Sequence, residues 1–462
     1  MVSGRSLRAC RICVVGAGPS GLVAARELRK EGHAVVVLEQ KGDVGGQWLY
    51  DGKVAGEDPL GRAAPPRVHS SVYASLRVLE PRETIGFTDF PFLVRKDRDG
   101  RRFPGHREIF LYLLDFCERF QLRETVRFNT RVSYVGMAAG DGDCDGGGAL
   151  KWVVKSKEEG SEKETEEVFD AVVIATGHYS QPRLPTIRGM EVWKRTQLHS
   201  HVYRVPDPFR DQVVVLLGVS YSGRDIAIEL LDIAKEVHLS AKSLSVSPAL
   251  SKLLAAHPNL HLHPQVESLG EGGKVEFKDG GWVAADAVIY CTGYSYSLPF
   301  LDGGGFVGVE GDGDRVGPLF EHTFPPSLAP SLSFVGIPRK VIGFPFFEAQ
   351  ARWIAQVLSG RRNLPSPEEM MRSAEEFYQS LREAGVPDRW THDIADFEYC
   401  DRYGDYCEFP RLEEWRKELV LNAHMNANAD LEGYREASPD EELLQEAYRS
   451  PHFTQFIHEA TP

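Results

Sequence analysis

Residues 11–39 read RICVVGAGPSGLVAARELRKEGHAVVVLE, and this stretch decides the fold. RICVV (11–15) is a short apolar run, GAGPSG (16–21) a tight turn, Leu22 to Lys30 a run of helix formers, and AVVVLE (34–39) a second apolar run. Strand, turn, helix and strand in that order predict a βαβ unit in a parallel sheet. Gly16 permits the sharp turn, Gly18 lets backbone approach a pyrophosphate, and Gly21 lets the helix pack close to the strand. Pro19 and Ser20 open the helix, whose first amides and positive dipole end face the phosphates. Glu39 ends the second strand, where a carboxylate accepts hydrogen bonds from ribose hydroxyls and repels a 2′-phosphate. The site therefore suits FAD or NAD(H) rather than NADP(H).

The pattern recurs. Gln212 to Leu217 is an apolar strand, GVSYSG (218–223) a turn, Arg224 to Lys235 helical, and EVHLS (236–240) a strand. Gly218 and Gly223 keep the ends of the fingerprint, Ser220 replaces its middle glycine, and Ser222 shares the turn. Lys242 falls past the second strand, in the region where an acid serves NAD, and Arg224 starts the helix. Cations there match a 2′-phosphate, hence NADPH, although a solvated lysine is the plain alternative.

Two such units predict an α/β fold with two Rossmann-like dinucleotide-binding domains. The NADPH domain (179–321) is expected to be inserted into an FAD domain (1–178 and 322–462, ending in helices). VFDAVVIATG (168–177) and DAVIYCTG (286–293) read as strands that close each domain. The Gly- and charge-rich stretches 138–149 and 156–167 read as solvated loops around the strand LKWVV.

An FAD-type and an NADPH-type site together imply hydride transfer from nicotinamide to flavin. Gly42 to Arg67 holds no cysteine, which sets aside the disulfide reductases and leaves dioxygen as electron acceptor. Cys10 and Cys13 form a CxxC with no second pair, so they are expected to be strand residues, and no metal site is expected. Seven scattered cysteines fit reduced thiols. A net charge of -14 argues against nucleic acid or anionic membrane as partner. No apolar run reaches the roughly 18 residues of a membrane span, and MVSGRSLRAC lacks the apolar core of a signal peptide. A cytoplasmic protein is expected.

The segment WKRTQLHSHVY (193–203) resembles the FxGxxxHxxxY motif of flavin-containing monooxygenases, with His199 and Tyr203 matching and Trp193 and Arg195 departing. GGQW (45–48), VHSSVYASL (68–76), GFTDFPF (86–92), FPGH (103–106), ATGH (175–178), CTGY (291–294) and VGIPRKVIGFPFFE (335–348) extend the resemblance over nearly the whole chain. HSHVYRVPDPF and FPFFE are most similar to the plant S-oxygenating branch, which includes glucosinolate S-oxygenases and S-oxygenases of cysteine derivatives.

The resemblance implies an oxidoreductase using FAD, NADPH and O2, in which a small thioether attacks a flavin hydroperoxide and leaves as a sulfoxide. It names no certain catalytic side chain, the protein supplying position and exclusion of water. It puts Gly45, Gly46, Gln47 and Trp48 at the flavin edge and the helix start in VIGFPFFEAQ at the pyrimidine end. His199 and Tyr203 would shape NADP⁺ docking, and Tyr73, Phe92 and Phe344 are candidates for the pocket wall. Leu79 stands where many members carry an asparagine amide facing the flavin. An NADPH oxidase releasing hydrogen peroxide, an amine N-oxygenase and a non-catalytic flavin protein stay open at this point.

Overall fold

The computed structural model describes residues 9–53, 58–63, 68–138, 150–436 and 440–455. The N-terminal reading up to residue 8, the loop expected from 139 to 149 with Cys144, and the end from 456 lie outside them.

The first sheet is parallel, with strands in the order Leu332–Phe334, Ala171–Ile174, Arg11–Val15, Ala34–Leu38, Val126–Arg127. The second is parallel too, in the order Leu260–His263, Glu236–Ser240, Val213–Leu217, Ala287–Tyr290, Thr196–His199. All strands of the second fall, in chain order, between Ala171–Ile174 and Leu332–Phe334 of the first. The expected α/β architecture with an inserted nucleotide sheet is present.

The unbroken apolar runs follow from burial on both faces. In the first sheet Ile12 and Val14 pack into the core beneath the helices. Their neighbours Cys13 and Val15 point the other way, onto Val135, Trp152, Val154 and Phe169 of a three-stranded antiparallel sheet. The second sheet repeats this: Val214 and Leu216 face helices, while Val215 and Leu217 face Val266, Val275 and Phe277 of another antiparallel sheet.

Two local expectations need correction. The charged stretch 156–167 is mostly strand, since Trp152–Glu158 and Glu164–Phe169 pair as a hairpin and only 159–163 connect them. Its solvent-facing charges hid one buried side, on which Ser156 and Phe169 are covered. The helix expected over 224–235 ends at Leu230. The strands in VFDAVVIATG and DAVIYCTG take equivalent places, each beside the first strand of its unit, with Leu332–Phe334 and Thr196–His199 pairing beyond them.

The helix Pro19–Lys30 packs on Gly343–Leu358. Between them Arg26, 2% exposed, pairs with Glu27 at 2.8 Å, Asp89 at 2.5 Å and Glu348 at 2.7 Å. Glu348 also accepts from the Thr88 amide and hydroxyl. The charged tail after 365 is helical as expected, and its helix Glu414–Ala429 sends the buried Arg416 to the carbonyls of Thr84 and Gly86. The two crossings between the parallel sheets run side by side, Gln181–Pro182 pairing antiparallel with Tyr294–Ser295. Among the described residues no helix is long and apolar enough to cross a membrane.

Candidate active site: two nucleotide turns and a flavin cleft

Gly16 adopts φ 103°, and a Cβ there would lie 2.6 Å from the Ala175 carbonyl oxygen. A Cβ on Gly21 would lie 1.8 Å from the Gly16 carbonyl oxygen, so these two glycines serve the fold itself. Gly18 differs. Its Cβ would meet nothing nearer than the Gly46 Cα at 3.5 Å, so the protein leaves room for a side chain that the sequence withholds. A ligand against that backbone accounts for the glycine.

The turn opens into a cleft of about 550 Å³. Gly16, Gly18, Pro19, Ser20, Glu39, Gly46, Gln47 and Trp48 all line it, whereas Gly21 sits beneath. The Glu39 carboxylate is buried, with one oxygen accepting from the Ala17 amide at 2.7 Å and the other from the Lys41 amide at 2.8 Å. Burial raises its pKa, and the two amides oppose that rise. Held this way, each oxygen keeps a lone pair for a ribose hydroxyl. Gly343, Phe344 and Phe347 bring the uncapped start of the helix Gly343–Leu358 to the cleft, where its amides can meet an electron-rich ring edge.

The lining also includes residues that sequence reasoning missed: Gln40, Thr130 to Ser133, His178, Tyr179, Arg339 and Lys340. Thr130 arrives because its amide donates to the Glu39 carbonyl at 2.8 Å, a pairing of distant strands with no local signal. His178 and Tyr179 had one, the repeat of ATGH in CTGY, since both motifs end the strand beside a glycine turn. Burial lowers the His178 pKa to about 4, and its Nδ1 lies 2.8 Å from the Gly336 carbonyl oxygen. Arg339 and Lys340 both pair with Asp393 at 2.9 Å.

The second turn copies the first. Gly218 has φ 111° with its virtual Cβ 2.4 Å from the Cys291 carbonyl oxygen, and a Cβ on Gly223 would lie 1.9 Å from the Gly218 carbonyl oxygen. Ser220 takes the place of Gly18 as N-cap, in extended backbone open to any residue, and is exposed. Ser222 and Arg224 are half-buried on the same helix start. Lys242 is exposed and makes no ion pair among the described residues.

His199 and Tyr203 are not brought to either surface. His199 is fully buried, its Nδ1 accepting from the His201 amide at 3.1 Å, and burial lowers its pKa to about 3. Tyr203, 1% exposed, donates to Glu229 at 2.7 Å and so braces the helix Tyr221–Leu230. Tyr294 stacks edge-on with Tyr179 of the cleft at 5.5 Å and with His199 at 5.3 Å, linking cleft and crossing. Of the suggested wall residues only Phe344 lines the cleft. Tyr73 packs on Tyr203 and donates to Asp225, and Phe92 is buried against Tyr112. Leu79 is half-buried and not among the lining residues. Cys10, just before the strand Arg11–Val15, and Cys13 within it are buried and in no disulfide, and burial pushes the Cys13 thiol far up.

With this geometry in place, the chain's relatives can be compared. The model of the flavin-binding monooxygenase-like family matches residues 9–254 and 249–408. The flavin-containing monooxygenase FMO GS-OX-like 9 of Arabidopsis thaliana is 62% identical, covering 97% of each chain. The structure of S-allyl-L-cysteine S-oxygenase from Allium sativum covers 98% of this chain and 100% of that one, with 41% identity and a TM-score of 0.89. Tmm from Pelagibacter sp. strain HTCC7211 shares the fold at 24% identity and a TM-score of 0.75 over 93% of this chain and 94% of that one.

The chain belongs to the flavin-binding monooxygenase-like family. It is an oxidoreductase of the flavin monooxygenase class, with FAD and NADPH as cofactors and relatives in the plant GS-OX-like branch.

Proposed function

We propose that this enzyme S-oxygenates a small thioether, of the methylthioalkyl glucosinolate or S-alkyl cysteine kind, to a sulfoxide with NADPH and O2. The observation that carries the proposal is the likeness, over nearly the full length of both chains, to an S-allyl-L-cysteine S-oxygenase. When bound, reduced FAD supplies the activation of dioxygen. The chain's own part is to hold and enclose. Gly16, Gly18, Pro19 and Ser20 would cradle the FAD pyrophosphate, with Gly21 letting the helix pack close beneath, Glu39 would take its ribose, and Gly46, Gln47 and Trp48 would border the ring. His178 and Tyr179 cover the cleft, with His178 uncharged near neutrality. A soft sulfur nucleophile needs no protein base, which suits a cleft whose histidines are held neutral.

For NADPH we assign Gly218, Ser220, Ser222, Gly223, Arg224 and Lys242 as contacts. His199 and Tyr203, being buried, act by positioning the crossing and the helix of that turn. We also take the inserted domain to begin near 179 and to return near 294 rather than 321, because Tyr296, Val307, Val316 and Leu319 pack with Cys13 and Val15.

An NADPH oxidase stays the alternative reading, although Leu79, whose missing amide suggested it, is not among the residues lining the cleft. The experiment is to incubate purified enzyme with NADPH and a panel of S-alkyl cysteines, methylthioalkyl conjugates and amines, measuring NADPH consumed, sulfoxide, N-oxide and peroxide. Sulfoxide matching NADPH supports the proposal. Peroxide alone moves the assignment to the oxidase, and N-oxide alone to amine oxygenation.

A further inference from the structure

Away from the flavin cleft, the second sheet gathers imidazoles. Parallel register sets His238 opposite His261 and Ser240 opposite His263. Alternation along the two strands then puts Glu236, His238, His261 and His263 on one face, while Val237, Leu239 and Leu260 fill the core on the other. The spacing, ExH in one strand and HxH in the next, carries no metal signature in the linear sequence, and none was expected there. The sheet makes the cluster.

His238 is buried; Glu236, at the start of the same strand, is half-buried, as are His261 and His263 on the edge strand Leu260–His263. Donor atoms of Glu236, His238 and His261 all lie within 4.8 Å of one another. His238 Nε2 is 3.2 Å from Glu236 Oε2, and its Nδ1 is 2.9 Å from His263 Nε2. The His238 and His261 rings are 4.7 Å apart, and His263 is fixed by stacking on Phe277 at 4.1 Å.

We propose that Glu236, His238 and His261 form a site for a divalent transition-metal ion of the zinc class. Two imidazoles and one carboxylate are borderline donors that suit Zn²⁺ and neighbours such as Cu²⁺, whereas Ca²⁺ and Mg²⁺ favour oxygen shells. The half-exposed edge leaves a coordination position for water. A metal at His238 Nε2 replaces the proton now shared with Glu236. His238 then carries its proton on Nδ1 and donates it to His263 Nε2, while His263 holds its own on Nδ1, so no proton is lost. His263 thereby takes the role of the hydrogen-bonded partner that orients a ligating imidazole. The site lies on the strand that leads to Lys242, outside the residues lining the flavin cleft.

The test uses tag-free, FAD-loaded, full-length protein freed of metal by dialysis against a chelator, then titrated with Zn²⁺ calorimetrically. A parallel sample with Cu²⁺ is read by electron paramagnetic resonance for imidazole nitrogen splitting. One zinc per chain, a raised melting temperature and nitrogen splitting are expected. Glu236→Gln combined with His261→Gln, at half-buried positions, is expected to weaken zinc binding roughly tenfold or more and to abolish the splitting, with FAD content unchanged. If that double variant loses FAD, His261→Gln alone is judged by the same criteria. No zinc uptake by the parent protein, or equal uptake by an FAD-replete variant, overturns the site.

Discussion

Glu39 and Ala241 occupy the same place in the two nucleotide folds. The Gly16 amide donates to the Leu38 carbonyl at 2.9 Å, and the Gly218 amide donates to the Ser240 carbonyl at 2.9 Å. The residue after each acceptor is a buried carboxylate in the first fold and a methyl group in the second. Lys242 follows at the position held by Gln40 in the flavin cleft. Under the proposed assignment, the second site has no acid to repel a 2′-phosphate and has a cation one residue on.

Lys242→Glu is expected to raise the KM for NADPH by about tenfold or more, losing a charge-assisted contact and adding repulsion. Steady-state kinetics with NADPH and NADH check it. A variant that keeps the parental preference for NADPH shows that another group reads the phosphate.

The glycines of the first turn are expected to separate on substitution. Gly21→Ala forces a Cβ to 1.8 Å from a carbonyl oxygen and is expected to yield little folded protein. Gly18→Ala has room and is expected to fold as apoprotein yet hold FAD roughly tenfold less tightly or worse. Flavin absorbance per chain and apoprotein melting measure both. Normal FAD content in Gly18→Ala would place the pyrophosphate elsewhere.

The parallel sheets were legible because burial on both faces leaves continuous apolar runs, and the turns because φ beyond the reach of other residues demands glycine at 16 and 218. What was not legible depended on partners far away in sequence. Thr130 to Ser133 reach the cleft through backbone bonds that tie Arg127, Asn129 and Thr130 to Glu39 and Lys41, and Arg26 finds Glu348 across more than three hundred positions. His199 and Tyr203 stood out as motif residues, but a motif does not say whether a side chain faces ligand or core.

Arg26→Met is expected to destabilise by about 3–5 kcal/mol, because it leaves Glu348 buried without its cation. Adding Glu348→Gln is expected to restore part of that loss. Urea denaturation of the single and double variants measures it. Equal stability of Arg26→Met and the parent would mean that the ion cluster contributes nothing to docking the two helices.

Acid is expected to destabilise the fold through its neutral histidines. Burial lowers His69, His178 and His201 to about 4 and His199 to about 3, from 6.5. Below 6.5 the unfolded chain binds protons that the folded chain refuses, so stability is full above that value and falls toward about 4. Each such group costs about 1.4 kcal/mol per pH unit once fully engaged. Urea midpoints across the window should drop steeply. A flat profile would mean that these rings are charged in the folded protein.

The pairing of Gln181–Pro182 with Tyr294–Ser295 makes the link between the sheets a ribbon rather than two independent tethers. The segment leaving the first sheet and the segment returning to it are thereby held as a pair, so neither crossing can shift without the other.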